Sequence, residues 1–152
     1  MVVSGASYGG FMTLSVFARY GARLAGAYDV VGMSNLVSFL ERTEAYRQDL
    51  RRVEYGDERD PAMRKFMEET APLNNTEKMT KPLFVVAGRN DPRVPYTEAE
   101  QLVAKVRAQG GGVWYMLAKD EGNGFRKKSN RDAQRAVETQ WLRKVLRLDD
   151  AR

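Results

Sequence analysis

Short apolar runs alternate along the chain with longer segments in which apolar residues recur every three or four positions. The runs predict strands over residues 1–4, 24–31, 82–87 and 113–117. The longer segments predict helices over residues 11–20, 35–53 (with a break near the middle), 60–70, 97–109 and 129–148. Strands that alternate with helices are typical of βαβ units. The pattern therefore predicts an α/β fold with about four mostly parallel strands flanked by helices.

The residues of the first predicted helix indicate its burial, and polar residues indicate where three other helices begin. Apolar residues cover most of the circumference of residues 11–20, which favours a helix that is buried on several sides. Polar or proline residues mark three helix starts as N-terminal caps or capping boxes: Asp60 with Pro61, Thr97 with Glu100, and Ser129 with Asp132.

The first apolar run ends in a G-x-S-x-G pattern, formed by residues 5–9, and a helix follows it. This arrangement is typical of a nucleophile elbow, a sharp strand-to-helix turn that exposes a serine, here Ser7. We expect Gly5 and Gly9 to be required because a Cβ on either side of the turn would collide with backbone. The alternative is a glycine-rich turn whose serine only caps the helix.

Composition limits the chemistry. The chain has 152 residues, no cysteine and no histidine, so disulfides, thiolate ligands and imidazole ligands are excluded. The length predicts a single domain over residues 1–152. We predict no cofactor and no metal site.

Charge and hydropathy bear on partners and location. The net charge is +5, but the basic residues are spread among acids, and the densest cluster is residues 126–128 with Arg131. A nucleic-acid site would need a basic stripe interleaved with exposed aromatic residues, so we predict no nucleic-acid binding. There is no apolar run of membrane-spanning length and no leader-like start, which predicts a cytoplasmic protein without a membrane partner.

Three polar residues follow predicted strands: Ser7, Asp91 and Asn123. In a parallel sheet, the loops beyond the carboxyl ends of the strands meet at one edge and carry the chemistry. The chain order of serine, aspartate and a third polar residue is that of an α/β-hydrolase triad.

With these motifs the chain resembles the prolyl oligopeptidase family, on its acylaminoacyl-peptidase-like and dipeptidyl-peptidase-like side. The matching stretches are residues 5–11, 88–95 and 119–125, and the resemblance in order and spacing extends over the whole chain. It implies a serine hydrolase of the esterase or peptidase type, acting on small esters or acyl-peptides. It also implies Ser7 as nucleophile, Asp91 as the carboxylate that orients the base, and the backbone N–H of Tyr8 as one oxyanion donor.

The first departure from the family pattern is Asn123, which stands where the family has histidine. An amide cannot take the serine proton, but it can hydrogen-bond to Asp91 or Ser7. We therefore expect the catalytic activity to be impaired.

The second departure is length, since the family's domain has further strands before the elbow strand. The family's second oxyanion donor comes from an early loop that is absent here. The resemblance therefore implies a truncated α/β-hydrolase fold in which the elbow strand has a free edge. A free edge is a template for another chain, which predicts a homodimer through this edge.

Two functions from different classes stay open. One is a serine hydrolase in which a lysine such as Lys119 replaces the missing base, as in Ser–Lys pairs with a lowered lysine pKa. The other is a non-catalytic, self-associating remnant or interaction module.

Overall fold

The computed structural model describes residues 1–150, in which four parallel strands form one sheet. The strands are β1 (Val2–Ala6), β2 (Gly26–Val30), β3 (Leu83–Gly88) and β4 (Val113–Ala118), and their spatial order is their chain order. The predicted α/β class, the strand number and the parallel direction are confirmed.

Six α-helices connect or follow these strands within the described residues. They are α1 (Tyr8–Tyr20), α2 (Leu36–Arg42), α3 (Ala45–Tyr55), α4 (Pro61–Thr70), α5 (Thr97–Ala108) and α6 (Lys128–Val145), with short 3₁₀ turns at Gly21–Arg23 and Pro72–Asn74. The predicted break within residues 35–53 falls between α2 and α3. None of the helices within residues 1–150 is long and apolar enough to cross a membrane.

The sheet is covered on both faces. On one face Phe17 of α1 and Leu102 of α5 pack against Leu83 and Val85 of β3. On the other face Trp141 of α6 packs on two stacked rings, those of Tyr28 and Phe84, whose centroids are 4.7 Å apart. Each buried apolar side chain of this size contributes about 1.5–3 kcal/mol, so the two layers hold the strands in place.

A third apolar cluster lies under α2, α3 and α4, which form an excursion between β2 and β3. Its buried members include Phe39, Leu40 and Met67, together with Val94 from the loop after β3. Asp60 caps α4 by accepting a hydrogen bond from the N–H of Met63 at 2.8 Å, as predicted. The excursion therefore packs against the loop that carries Asp91.

Two predicted capping boxes are wrong, although both helices begin within one residue of the predicted position. Thr97 forms no capping box with Glu100, because α5 begins after Tyr96 and the Thr97 hydroxyl is buried without a partner in the described residues. Helix α6 begins at Lys128, before Ser129, and the Lys128 ammonium donates a hydrogen bond to the Asp132 carboxylate at 2.5 Å, which forms an ion pair. In both cases the polar residue lies inside the helix rather than at its N-cap position.

The prediction that the first helix is buried on several sides is also wrong. Leu14 and Phe17 of α1 are fully buried, but Met12 is 44% exposed and Tyr20 is 52% exposed. Residues 1–150 therefore cover only one side of an apolar helix.

A buried carboxylate ties the start of α2 to α5. Glu98 is fully buried and accepts hydrogen bonds from the backbone N–H groups of Ser34 and Asn35 and from the Ser38 hydroxyl, the last at 2.5 Å. Burial raises the pKa of Glu98, and these hydrogen bonds oppose the rise in part. The network fixes the chain where it leaves β2 at the carboxyl edge of the sheet.

A second buried carboxyl group lacks such support. Asp29 of β2 is 1% exposed, and neither of its oxygens has a hydrogen-bond partner in the described residues. Burial raises the pKa of Asp29 to about 7, the backbone N–H of Gly32 opposes the rise without forming a well-aligned bond, and the charge of Glu98 adds to it. The Asp29 carboxyl group therefore titrates near neutral pH.

We predict that Asp29→Asn stabilises the protein above pH 7 and changes little near pH 4. The pKa is raised on folding, so the folded state loses stability as the pH rises from about 4 through the folded pKa. With a pKa of about 7 in the folded state, the loss amounts to up to about 4 kcal/mol. Urea unfolding of both proteins between pH 4 and pH 8 measures it. Parallel stability curves for the two proteins would show that Asp29 does not titrate in this range.

Candidate active site

Ser7 lies in the turn between β1 and α1 with a strained backbone. Its φ is 55° and its ψ is −116°, a conformation that side-chain-bearing residues rarely adopt. The Ser7 N–H donates to the carbonyl of Val30 at 2.9 Å, and the Ser7 carbonyl accepts from the N–H of Phe11 at 3.1 Å. The strand-to-helix turn predicted for a nucleophile elbow is therefore present, and the Ser7 side chain does not cap the helix.

Close packing against the backbone makes a glycine necessary at only one of the two motif positions. A Cβ on Gly5 would lie 2.3 Å from the carbonyl oxygen of Gly9 and 2.9 Å from the Thr13 hydroxyl. A Cβ on Gly9 itself would meet nothing within 4 Å, so the prediction that both are sterically required is wrong for Gly9. Gly10, outside the motif, is required instead, because its Cβ would lie 2.3 Å from an oxygen of Asp29.

Tyr8 begins α1 directly after Ser7. The N–H groups of the first helical turn have no partner within the helix, so the N–H of Tyr8 is free to bind an anion. The Tyr8 ring stacks on the ring of Tyr55, with centroids 5.7 Å apart, and α3 thereby flanks the turn.

Asp91 lies in the loop after β3 and is 8% exposed. Its Oδ1 accepts hydrogen bonds from the backbone N–H groups of Arg93 and Val94, at 2.8 and 3.0 Å. Its Oδ2 accepts from the side-chain amide of Asn123 at 2.7 Å. Both carboxylate oxygens are therefore occupied.

Asn123 lies in the loop after β4, partly exposed, between Gly122 and Gly124, which form an isolated bridge. The predicted hydrogen bond between Asn123 and Asp91 is thus present, and it joins the loops of two neighbouring strands. The other possible bond, to Ser7, is not formed within residues 1–150. The Ser7 hydroxyl makes no hydrogen bond to Asp91 either.

Glu121 organises the Asn123 loop, and sequence reasoning missed it. It is 4% exposed, and its carboxylate accepts hydrogen bonds from the N–H groups of Arg126 and Lys127 and from the amide of Asn130, at 2.8–3.0 Å. These bonds hold the pKa of Glu121 below its usual range. Its carbonyl also accepts from the N–H of Asn90 at 2.9 Å, next to Asp91. An acidic residue before a glycine-rich loop was the available signal.

Lys119, the alternative base, has an exposed side chain after the end of β4 and makes no hydrogen bond to Ser7 among the described residues. A cavity of about 500 Å³ lies beside Asn123 and includes Arg93 and Arg126 in its wall, but not Ser7. Within residues 1–150 the geometry thus brings Asp91 and Asn123 into contact and gives the Ser7 hydroxyl no hydrogen-bond partner.

Comparison with known proteins identifies the family. The sequence profile of the prolyl oligopeptidase family matches residues 1–149. The chain belongs to the prolyl oligopeptidase family. It is 35% identical to dipeptidyl aminopeptidase BIII of Pseudoxanthomonas mexicana and 34% identical to dipeptidyl peptidase family member 6 of Caenorhabditis elegans, in each case over 96% of this chain. It covers 22% and 20% of those two relatives, and so spans about a fifth of their length.

Solved structures agree with this membership. A puromycin-hydrolysing peptidase of Mycobacterium tuberculosis superimposes on 83% of the chain with a TM-score of 0.74 at 27% identity, and the match covers 19% of that protein. Oligopeptidase B from Leishmania major superimposes on 96% with a TM-score of 0.83 at 18% identity, which supports the fold, over 21% of its length. The sheet and helices described above therefore match part of the α/β-hydrolase domain of this family of serine hydrolases.

The packing of the turn around Ser7 predicts that substitutions at its two motif glycines have different effects on stability. Gly5→Ala should destabilise the protein by about 1–3 kcal/mol, because the new methyl group overlaps backbone that cannot move. Gly9→Ala should be neutral or stabilising by up to about 1 kcal/mol, because the site is open and alanine favours a helix. Urea denaturation of both variants checks this. Equal losses would show that the turn packs differently.

The hydrogen bonds of the Asn123 loop predict that Glu121→Gln and Asp120→Asn differ in how well the backbone amides of that loop are protected from exchange. The glutamine NH₂ group would face a backbone donor, so the amides of Arg126 and Lys127 should exchange with solvent about tenfold faster or more. Asp120 is exposed and bonds Lys127 and Asn130, so its substitution should leave those amides protected. Hydrogen exchange measured by NMR distinguishes the two, and slow exchange in Glu121→Gln would contradict this role.

Proposed function

We propose that the chain is the part of a prolyl-oligopeptidase-type serine hydrolase that carries Ser7 as nucleophile, with small esters or acyl-peptides as substrates. In this proposal Asp91 is the orienting carboxylate, the N–H of Tyr8 is an oxyanion donor, and Asn123 occupies the position of the family's histidine. The observation that carries it is the 2.7 Å hydrogen bond from Asn123 to Asp91 at the sheet edge where the strained Ser7 turn also lies.

The chemistry needs the Ser7 hydroxyl to attack a carbonyl carbon and to lose its proton. The hydroxyl oxygen forms the new bond, the carbonyl oxygen takes the negative charge, and the N–H of Tyr8 stabilises that charge. The bond from the carbonyl carbon to the leaving alcohol or amine then breaks, the leaving group takes a proton, and water attacks the acyl-serine to release a carboxylic acid and the Ser7 hydroxyl. The site supports the attack and the oxyanion better than it supports the proton transfer.

Proton transfer is the weak step because no base contacts the Ser7 hydroxyl in the described residues. The amide of Asn123 has essentially no basicity, and both oxygens of Asp91 already accept hydrogen bonds. In a subtilisin-type protease, loss of the histidine lowers turnover by about six orders of magnitude and leaves about a thousandfold over water. We therefore propose a strongly impaired hydrolase that favours activated esters, whose leaving groups need little protonation.

The substrate class rests on the relatives. One is named a dipeptidyl aminopeptidase, one a dipeptidyl peptidase family member and one a puromycin-hydrolysing peptidase, so all three names describe peptidases. An acyl-peptide or a small ester is the corresponding substrate class for Ser7.

The Asp91–Asn123 bond also favours a second candidate function, a non-catalytic interaction module. An amide that satisfies a buried carboxylate completes the polar interior of the site without needing a proton acceptor. In this reading the loops have a structural role, and Ser7 is not acylated.

We predict that Asn123→His raises the hydrolysis of a p-nitrophenyl ester by about a hundredfold or more, because the imidazole would face Asp91 and supply a general base. Asn123→Gln, which keeps an amide, should give no gain. The initial rate of nitrophenol release measures both.

The control is Ser7→Ala in the Asn123→His background, which should remove the whole gain. A gain that survives this substitution would exclude Ser7 from the reaction. An intact-mass measurement after treatment with a fluorophosphonate tests the unaltered chain: one adduct, located on Ser7, supports the hydrolase, and its absence under conditions that label Asn123→His supports the non-catalytic module.

A further inference from the structure

We propose that Asp29 of β2 is a positioning residue for the oxyanion donor: its carboxyl group supports the first turn of α1 when neutral, and competes with the oxyanion for the N–H groups of that turn when charged. The effect on the reaction rests on the proposed function, in which the N–H of Tyr8 stabilises the oxyanion. The contact between Asp29 and the turn does not depend on that function.

Asp29 lies under the strand-to-helix turn because β2 is paired with β1. Gly5 of the G-x-S-x-G motif is its partner in the parallel register. Side chains alternate between the faces of a strand, and Asp29 shares with Ala27 the face that α1 and α5 cover. A Cβ on Gly10 of α1 would lie 2.3 Å from Oδ1 of Asp29. A Cβ on Gly32, in the turn after β2, would lie 2.1 Å from the same oxygen, which is therefore wedged between these two segments.

The Asp29 carboxyl group is enclosed by the residues already described. Asp29 is 1% exposed, and both of its oxygens are buried without a hydrogen-bond partner within residues 1–150. Any further segment of a longer protein could reach these oxygens only by displacing α1 or the turn after β2. The lack of a partner is therefore a property of this core.

The first turn of α1 holds the donors that an ionised Asp29 lacks. The N–H groups of residues 8–10 have no partner within the helix, because the helical bonding begins with Phe11, whose N–H donates to the carbonyl of Ser7. A buried carboxylate without donors is strongly unfavourable. Since Gly10 is buried in contact with Asp29, we expect an ionised carboxylate to draw the N–H of Gly10 toward itself.

The same turn stabilises the oxyanion in the proposed reaction. A negative charge on Asp29 repels the charge that develops on the substrate carbonyl oxygen, and a shift of the turn toward Asp29 moves the N–H of Tyr8. Both effects act on the transition state rather than on the binding of an uncharged ester, so kcat should fall while KM stays unchanged. Proton transfer is less affected, because Asn123 follows β4, two strands away from β2.

Burial controls the charge on Asp29. It raises the pKa of Asp29 to about 7, the backbone N–H of Gly32 opposes the rise, and the charge of Glu98 on α5 adds to it. The other elements packed on Asp29 present glycines, from β1, α1 and the turn after β2, and Val85, from β3. Tyr28 follows Asp29 on the opposite face, and burial raises the pKa of Tyr28, so its hydroxyl stays neutral below pH 10.

A pH titration of the unaltered chain by NMR tests the contact without using activity. The amide signals of Tyr8 and Gly10 should shift with a midpoint near the Asp29 pKa of about 7, and Asp29→Asn should abolish that titration. The amide of Arg126 is the internal control. It bonds Glu121, whose pKa lies below its usual range, so its signal should not shift near neutral pH.

Ester hydrolysis in the Asn123→His background tests the effect on the oxyanion. Asp29→Asn should raise kcat at least about threefold more near pH 8.5 than near pH 5.5, with KM unchanged. Taking the ratio of the rates with and without Asp29→Asn cancels the titration of the introduced imidazole. Asp132→Asn, at an exposed site on α6, is the matched control, and its ratio should not change with pH.

Failure of the proposed function would give a different result. Asn123→His would then show no hydrolysis that Ser7→Ala removes. The amide titration would still decide whether the charge on Asp29 acts on the first turn of α1.

Three results would overturn the proposal. One is a titration of the Tyr8 and Gly10 amides that persists in Asp29→Asn, since another group, first of all Glu98, would then cause it. The second is a kcat ratio that does not depend on pH although Asn123→His is active. The third covers an Asp29→Asn variant that does not fold: carbon-13 spectra of the unaltered chain, labelled at its aspartate carboxyl groups, in which no carboxyl group shares the midpoint of the two amides.

Discussion

The close approach of backbone segments around Ser7 is the constraint on which the rest of the site depends. Gly5 touches the first turn of α1, and Gly10 touches Asp29 of β2, so β1, α1 and β2 meet where a single Cβ would not fit. The hydrogen bond from Ser7 to Val30 then locks the turn to the second strand. The close packing at Gly5 and Gly10, together with this hydrogen bond, holds the backbone of Ser7 in its strained conformation.

The other half of the site is held by buried carboxylates that accept backbone hydrogen bonds. Asp91 binds the N–H groups of its own loop, and Glu121 binds those at the start of α6. The two loops meet through Asn123 and through the bond from Asn90 to Glu121. This architecture needs no imidazole to stand, which explains how the loops keep their shape in a chain without histidine.

The two buried acids near β2 show a contrast in polar satisfaction. Glu98 accepts hydrogen bonds from Ser34, Asn35 and Ser38 and fixes the exit from β2, whereas the oxygens of Asp29 have no hydrogen-bond partner within residues 1–150 and burial raises its pKa to about 7. The Asp29 carboxyl group contacts Gly10, so any charge on it lies directly beneath the first turn of α1, the helix that carries Tyr8. One buried acid with hydrogen-bond partners, Glu98, and one without them among residues 1–150, Asp29, thus lie beneath the candidate site.

Much of the fold follows from local patterns. The apolar runs and the Asp60–Pro61 start depend on side-chain periodicity and capping, which act within a few residues, and the structure has these elements close to the predicted places. The motif around Ser7 likewise predicted the strained turn, because its glycines and its position after a strand are local features. Family membership was also readable from three loops, whose residues lie far apart in the chain but recur in a characteristic order.

The tertiary structure decided what depends on neighbours distant in sequence. Gly10 rather than Gly9 is sterically required, because the close contact comes from Asp29 on another strand. Thr97 is not a cap because α5 already begins at this residue and Tyr96 occupies the N-cap position, and the role of Glu121 arises from a turn that folds back on it. Sequence alone therefore determined the elements and the polar residues that each loop carries, and packing between loops and strands determined which groups meet.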